Sequence, residues 1–163
     1  MVAERYDLLV KGSTVATPGG FAETDIGITA GRIAGLGSLG QADAATVLDA
    51  RGLHTLPGVI DSQVHFREPG LEHKEDLETG TRGAALGGVT AVFEMPNTKP
   101  ATTGEPELAD KCRRADGRVW VDIAFWLGAT KENAAQLARL ERLPGCAGIK
   151  VFMGSSTGKL LIP

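Results

Sequence analysis

The sequence is short of cysteine, has no long apolar run and carries no excess of positive charge. Cys112 and Cys146 are the only cysteines in 163 residues, and neither has a partner at the spacing of a zinc or redox motif. Two thiols so placed read as free side chains of a reducing compartment, not as a disulfide framework. No apolar run approaches the ~18 residues that a membrane-spanning helix requires. The first residues lack the charged-then-apolar pattern of a secretory leader, so the cytoplasm is the expected location. Lys and Arg number 17 against 20 Asp and Glu, a net charge of −3. With no basic cluster, that balance offers no surface for nucleic acid or for an anionic membrane.

What is present is an ordinary globular composition, 42% hydrophobic and 23% charged, with 22 glycines scattered along the chain. Scattered glycine signals many tight turns and not a low-complexity segment. Segments 6–11, 24–30, 32–36 and 47–50 have strand character. Ile26 and Ile28 alternate on one face, and Ala30-Gly31 sits between two strands as a hairpin signal. These strands are too few to close a sandwich unaided, so residues 1–56 are expected to be part of a composite β-sandwich.

Leu56-Pro57-Gly58 marks a boundary, and residues 57–163 follow a different grammar. Strand-like runs begin at Val59, Thr90, Val119 and Ala147, about 30 residues apart. Helical patterns fill 75–86, 105–115 and 131–143, the last with Thr130 as its expected cap. Four βα-type units of uniform length imply parallel strands with helical crossovers. Both an open doubly wound sheet and a TIM barrel fit this spacing. No G-x-G-x-x-G follows the first strand, which disfavours a dinucleotide-binding sheet. A TIM barrel takes eight strands and about 250 residues, so four units are half of one.

Polar residues cluster at the predicted strand ends. The first strand runs into Asp61-Ser62-Gln63-Val64-His65-Phe66-Arg67, the second into Met95-Pro96-Asn97, and the fourth holds Lys150 between Ile149 and Val151. In a parallel barrel these ends converge on one face, so His65, Arg67, Asn97 and Lys150 can meet across wide sequence separations. Taken singly, each has a structural explanation: a hydrogen-bonded His, a solvated Arg, an Asn in a turn. Lys150 is the least ordinary, because an ammonium in an apolar strand is costly unless paired or chemically altered.

Three stretches then give a resemblance. PGVIDSQVHFREPG resembles the first-strand motif of dihydroorotases, whose usual form is D-x-H-x-H-F-R-E-P-G. GGVTAVFEMPNTKP and GIKVFMGSSTG resemble that family's second-strand region and its carboxylated-lysine segment. The resemblance implies a zinc-dependent cyclic amide hydrolase on a (β/α)8 TIM barrel, its first four βα units present here, with a small N-terminal β-sandwich segment. It implies His65 as a zinc ligand and Lys150, carbamylated by CO2, as an anionic bridge between metals, with one or two Zn2+ bound. Arg67 and Asn97 would hold the substrate carboxylate, a task suited to a planar guanidinium fork. Hydantoinases and allantoinases resemble the same architecture but usually lack this Arg and Asn, so the pair points to interconversion of dihydroorotate and N-carbamoyl-aspartate.

Two departures qualify the resemblance. Gln63 stands where the family's first ligand His is expected, and a neutral amide oxygen is a poor zinc donor. Asp61 keeps its motif position and is expected to orient neighbouring ligands. The later ligand histidines and the catalytic Asp would lie beyond residue 163, so the 163-residue chain alone is expected to be inactive. His54 and His73 cannot replace them. The partners implied are the small-molecule substrate, a second copy in a homodimer, and aspartate transcarbamoylase. The last suits a second reading, a non-catalytic scaffold that has lost a metal ligand. A third reading is a hydantoinase- or allantoinase-type hydrolase.

Overall fold

The computed structural model describes residues 5–154, 160 and 161. The chain divides into two compact units, Met1–Pro57 and Gly58–Pro163. In the first, β1 (Arg5–Thr17), β2 (Gly20–Thr29), β3 (Arg32–Gly37), β4 (Asp43–Asp49) and β5 (His54–Thr55) form one sheet. Its order is β3-β2-β1-β4, with β5 also on β1. The β1–β2–β3 meander is antiparallel, whereas β4 and β5 run parallel to β1. Ala30 and Gly31 both take positive φ, 50° and 72°, and thus make the two-residue hairpin whose twist matches its strands. Val10, Val15, Ile26 and Ala50 form the small core. The described residues of this unit make a single sheet.

The second unit holds β6 (Val59–Val64), α1 (Leu77–Leu86), β7 (Val89–Glu94), α2 (Glu105–Ala115), β8 (Asp122–Gly128), α3 (Leu137–Leu140) and β9 (Cys146–Lys150). The four strands are parallel and adjacent in chain order, β6-β7-β8-β9. This is α/β architecture wound in one direction, with no reversal of strand order among the described strands, as a doubly wound sheet would need. Helices cover one face. Phe66, Leu77, Val92, Leu108, Phe125, Leu127 and Leu140 form the core there, with Val64 and Ile149 packed against it. Both cysteines are free.

In the second unit, three elements differ most from the sequence expectation. β6 runs on through Asp61-Ser62-Gln63 and does not end at Ile60. A register irregularity between Asp61 and Val64 lets these exposed polar residues stay in the strand. β8 begins at Asp122 and not Val119, because the Trp120 N–H is taken by the Thr81 hydroxyl, 3.2 Å away, and not by a strand partner. The expected helix over 131–143 shrinks to a 3-10 turn, Ala134–Gln136, and the single turn of α3. Thr130 does not cap a helix. It exchanges two hydrogen bonds with Asn133, whose amide also donates to the Thr103 and Gly128 carbonyls at 2.8 Å each. That closed turn delays the helix.

Candidate functional site

Alternation along the strands assigns a face to each residue. Val92 and the buried Glu94 flank Phe93, Phe125 and Leu127 flank Trp126, and Val64 and Phe66 flank His65; the flanking apolar residues belong to the helix-covered core. Ile149 belongs there too, so its neighbour Lys150 points the other way. His65, Phe93, Trp126 and Lys150 therefore share the face that no described helix covers.

At the ends of β6 and β7, His65 Nδ1 meets Asn97 Oδ1 at 3.0 Å. With that oxygen as acceptor, Nδ1 carries the proton and Nε2 keeps its lone pair. The pKa of His65 is lowered, first by burial and then by the charge of Arg67; Lys150 and Lys111 add to this, and the Asn97 bond opposes it. Burial first, and then the surrounding positive charges, favour the neutral imidazole over the imidazolium. Lys150 Nζ also lies 5.5 Å from the centre of the Phe152 ring.

Arg67 is held at φ 67°, a left-handed backbone that costs a non-glycine residue about 1 kcal/mol or more. Its Nη1 is buried without a hydrogen-bond partner. Such an orphaned donor is expensive unless a ligand accepts from it. The surrounding loop is pinned from several sides. The Arg67 carbonyl accepts from the Leu71 N–H at 3.1 Å, and the Pro69 carbonyl accepts from the Lys99 N–H at 2.9 Å. Gly70, at φ 89°, lies so close to Lys99 that a Cβ would come within 2.3 Å of the Lys99 carbonyl oxygen. The loops after β6 and β7 are therefore stitched together.

Two buried carboxylates that the sequence reading passed over stand behind this rim. Glu68 accepts from the Leu77 N–H at the start of α1 (3.0 Å) and from Arg118 of the loop after α2 (2.8 and 3.2 Å), with Arg114 of α2 at 3.4 Å. Burial pushes the Glu68 carboxyl up, but these donors outweigh it and hold the group below the ordinary carboxylate range. Glu94 is paired with Lys111 of α2, and both side chains are 1% exposed. Lys111 also donates to the Met95 carbonyl at 3.1 Å, two residues before Asn97. Burial raises Glu94 to about 7 against the opposing pull of Lys111 and Arg67, and burial lowers Lys111. Neither pair has a local sequence signature: their partners are 17 to 50 residues away.

The other expected residues are placed less tightly. Asp61 is exposed, and its carboxylate accepts from the Gln63 backbone N–H at 2.9 Å. Its observed bond thus shapes the strand, where an orienting contact to a ligand was expected. Gln63 is exposed. His54 and His73 are exposed as well. The end of the third motif, residues 155–158, lies outside the described residues.

The fold family implies a metal, and the donor set tests it. His65 Nε2 is available, Lys150 would need carboxylation to bind a cation, and Gln63 offers only a neutral oxygen. No three His, Cys, Asp or Glu side chains gather among the described residues. These residues alone do not make a metal site, and no chemical step is derived through one.

A one-way parallel βα sheet with an imidazole, a guanidinium, a carboxamide and an amine at its strand ends defines a class of scaffold, the parallel βα barrel type with its polar groups gathered at the C-terminal strand ends. Comparison then fixes the family: residues 52–142 match the dihydro-orotase-like family model, and the chain belongs to that family. It is 40% identical to an allantoinase of Deinococcus radiodurans over 151 residues, covering 92% of this chain and 34% of that protein. An Escherichia coli allantoinase is 39% identical over 152 residues, 92% of this chain and 33% of its own length. Among solved structures, the L-hydantoinase (dihydropyrimidinase) of Arthrobacter aurescens superposes with a TM-score of 0.89 at 29% identity, over 96% of this chain and 35% of that one. A dihydropyrimidinase of Brevibacillus agri gives 0.81 at 29%, over 95% and 34%. The chain thus spans about a third of the length of the relatives it matches. No helix among the described residues is long and apolar enough to cross a membrane.

Proposed function

We propose that this chain forms the first half of the barrel of a cyclic amidohydrolase, and that the whole protein opens a ring amide bond of a cyclic ureide of the allantoin or hydantoin type. The observation that carries the reading is the meeting of His65, two residues before Arg67, with Asn97 at 3.0 Å, at the strand ends of a one-way parallel sheet whose uncovered face also carries Lys150. A ureide ring presents carbonyl oxygens and N–H groups. Arg67 Nη1 and Lys150 can donate to the former, and the His65 lone pair can accept from the latter. The likeness to allantoinases and hydantoinases supports this substrate class ahead of dihydroorotate. A zinc requirement belongs to the reading only where further donors join His65 and Lys150.

One observation favours dihydroorotate as a second reading. The buried, unpartnered Nη1 of Arg67 is a donor shaped for a carboxylate, which dihydroorotate carries and allantoin lacks. The test is to assay the full-length protein against allantoin, hydantoin and dihydroorotate in parallel. Ring opening of allantoin or hydantoin with kcat/KM at least tenfold above dihydroorotate is expected, and the reverse order installs the second reading. No turnover of any of the three, with no bound metal, would point to the scaffold role beside aspartate transcarbamoylase.

A further inference from the structure

One side chain on the uncovered face touches every other strand of the sheet. Trp126 of β8 donates its indole N–H to the Ser62 carbonyl of β6 at 2.9 Å, reaching past β7 to do so. On β7 it meets Phe93 edge-on, ring centres 6.2 Å apart at 73°. On β9 it lies against Gly148, its register partner. A Cβ at Gly148 would sit 2.8 Å from indole Cζ3, and the φ of 143° there is itself a glycine conformation. Ser62 is three residues before His65, and Gly148 is two before Lys150.

We propose that Trp126 is a positioning residue for the candidate site: its indole, laid across the open face, fixes the strand end that carries His65 relative to the strand that carries Lys150. Strand ladders fix the register of direct neighbours, but the twist between adjacent strands ranges over about −10 to −35°, so strands three apart can differ widely in relative orientation. A rigid bicyclic group with one hydrogen bond to β6 and one flat contact on β9 removes that freedom across three strand intervals. The glycine at 148 is required by the same contact, which ties two otherwise unrelated sequence features together. The proposal rests on the reading of this face as the site.

The experiment has two arms. In the first, 5-fluorotryptophan is incorporated into the chain, which has only Trp120 and Trp126. His65→Ala is expected to move the Trp126 fluorine signal by more than its linewidth and to leave that of Trp120 in place; two unmoved signals overturn the proposal. In the second, Trp126→Phe keeps the aromatic face and loses the N–H. In the full-length protein it should lower kcat about 10- to 100-fold, the scale of a small misplacement of reacting groups, with KM within about twofold. A folded variant with unchanged kcat overturns the proposal. If Trp126→Phe fails to fold, the fluorine arm decides alone. If the full-length protein opens no ureide while Trp126 responds to His65→Ala, the functional reading fails and the positioning inference stands.

Discussion

On the helix-covered face of the β6–β9 sheet, Val64, Val92, Phe125, Leu127 and Ile149 meet Leu77, Leu108 and Leu140 in a closed apolar core. On the opposite face the same strands present His65, Phe93, Trp126 and Lys150. Each residue of the second set adjoins one of the first, so a shift of one position in the pleat would exchange the two chemistries. The difference separates two jobs along one backbone. The covered face supplies cohesion, and the other face carries an ammonium and a half-buried imidazole, the latter two residues before Arg67 with its left-handed backbone and unpartnered Nη1. Substitutions should therefore sort by face, in stability on one side and in ligand chemistry on the other.

The largest loss is expected from Lys111→Met. It leaves Glu94 buried without its cation, a change that costs about 3–5 kcal/mol in other buried pairs. Adding Glu94→Leu should recover most of it, which urea denaturation of both variants will read; a single variant as stable as the parent would mean that the pair is not buried as described. Next, Leu127→Ala should cost about 2–5 kcal/mol, as truncations in closed cores do. His65→Ala on the other face should cost about 1 kcal/mol, one net hydrogen bond. Equal losses in that comparison would break the division between faces.

Glu68→Gln gives a smaller, pH-dependent effect. The folded carboxyl titrates below its ordinary value of 4.5. Its contribution is therefore complete above pH 4.5 and is lost as the pH falls through the folded pKa, because the unfolded chain takes up the proton first. Thermal unfolding followed from pH 6 down to pH 3 should show a shallower acid decline in the variant than in the parent; identical slopes would show that the Arg118 pairing does not hold in solution. The smallest signal is a near absence. After dialysis the 163-residue chain should retain well under one zinc per molecule by elemental analysis, since zinc favours several imidazole or thiolate ligands together and among the described residues no three such donors gather around His65. A full equivalent that disappears in His65→Ala would restore the metal site to these residues.

Much of the second unit was legible because its signals are local. α2 was read as 105–115 and is Glu105–Ala115, with Pro106 and acids in the first turn and Arg113 and Arg114 in the last. β7 was displaced by one residue. The third helix failed because Asn133, in the first turn of the expected span 131–143, is drawn off by the carbonyls of Thr103 and Gly128. The strand character of Asp61-Ser62-Gln63 was hidden because β6 is exposed and carries no apolar alternation. At the site, the meeting of His65 and Asn97 followed from assuming that parallel strand ends converge. The roles of Glu68, Glu94, Lys111 and Trp126 did not, since each depends on a partner fixed only by the fold.

The unbroken order β6-β7-β8-β9 has a consequence for synthesis. Every strand pairs with the one made just before it, about 30 residues earlier, so the loops to be closed stay short and the entropy lost in closing each is modest. As the polypeptide leaves the ribosome, each newly emerged unit finds its docking edge already waiting. Assembly can then proceed in the direction of translation, and the rim bearing Asn97 is in place before Lys150 has been added.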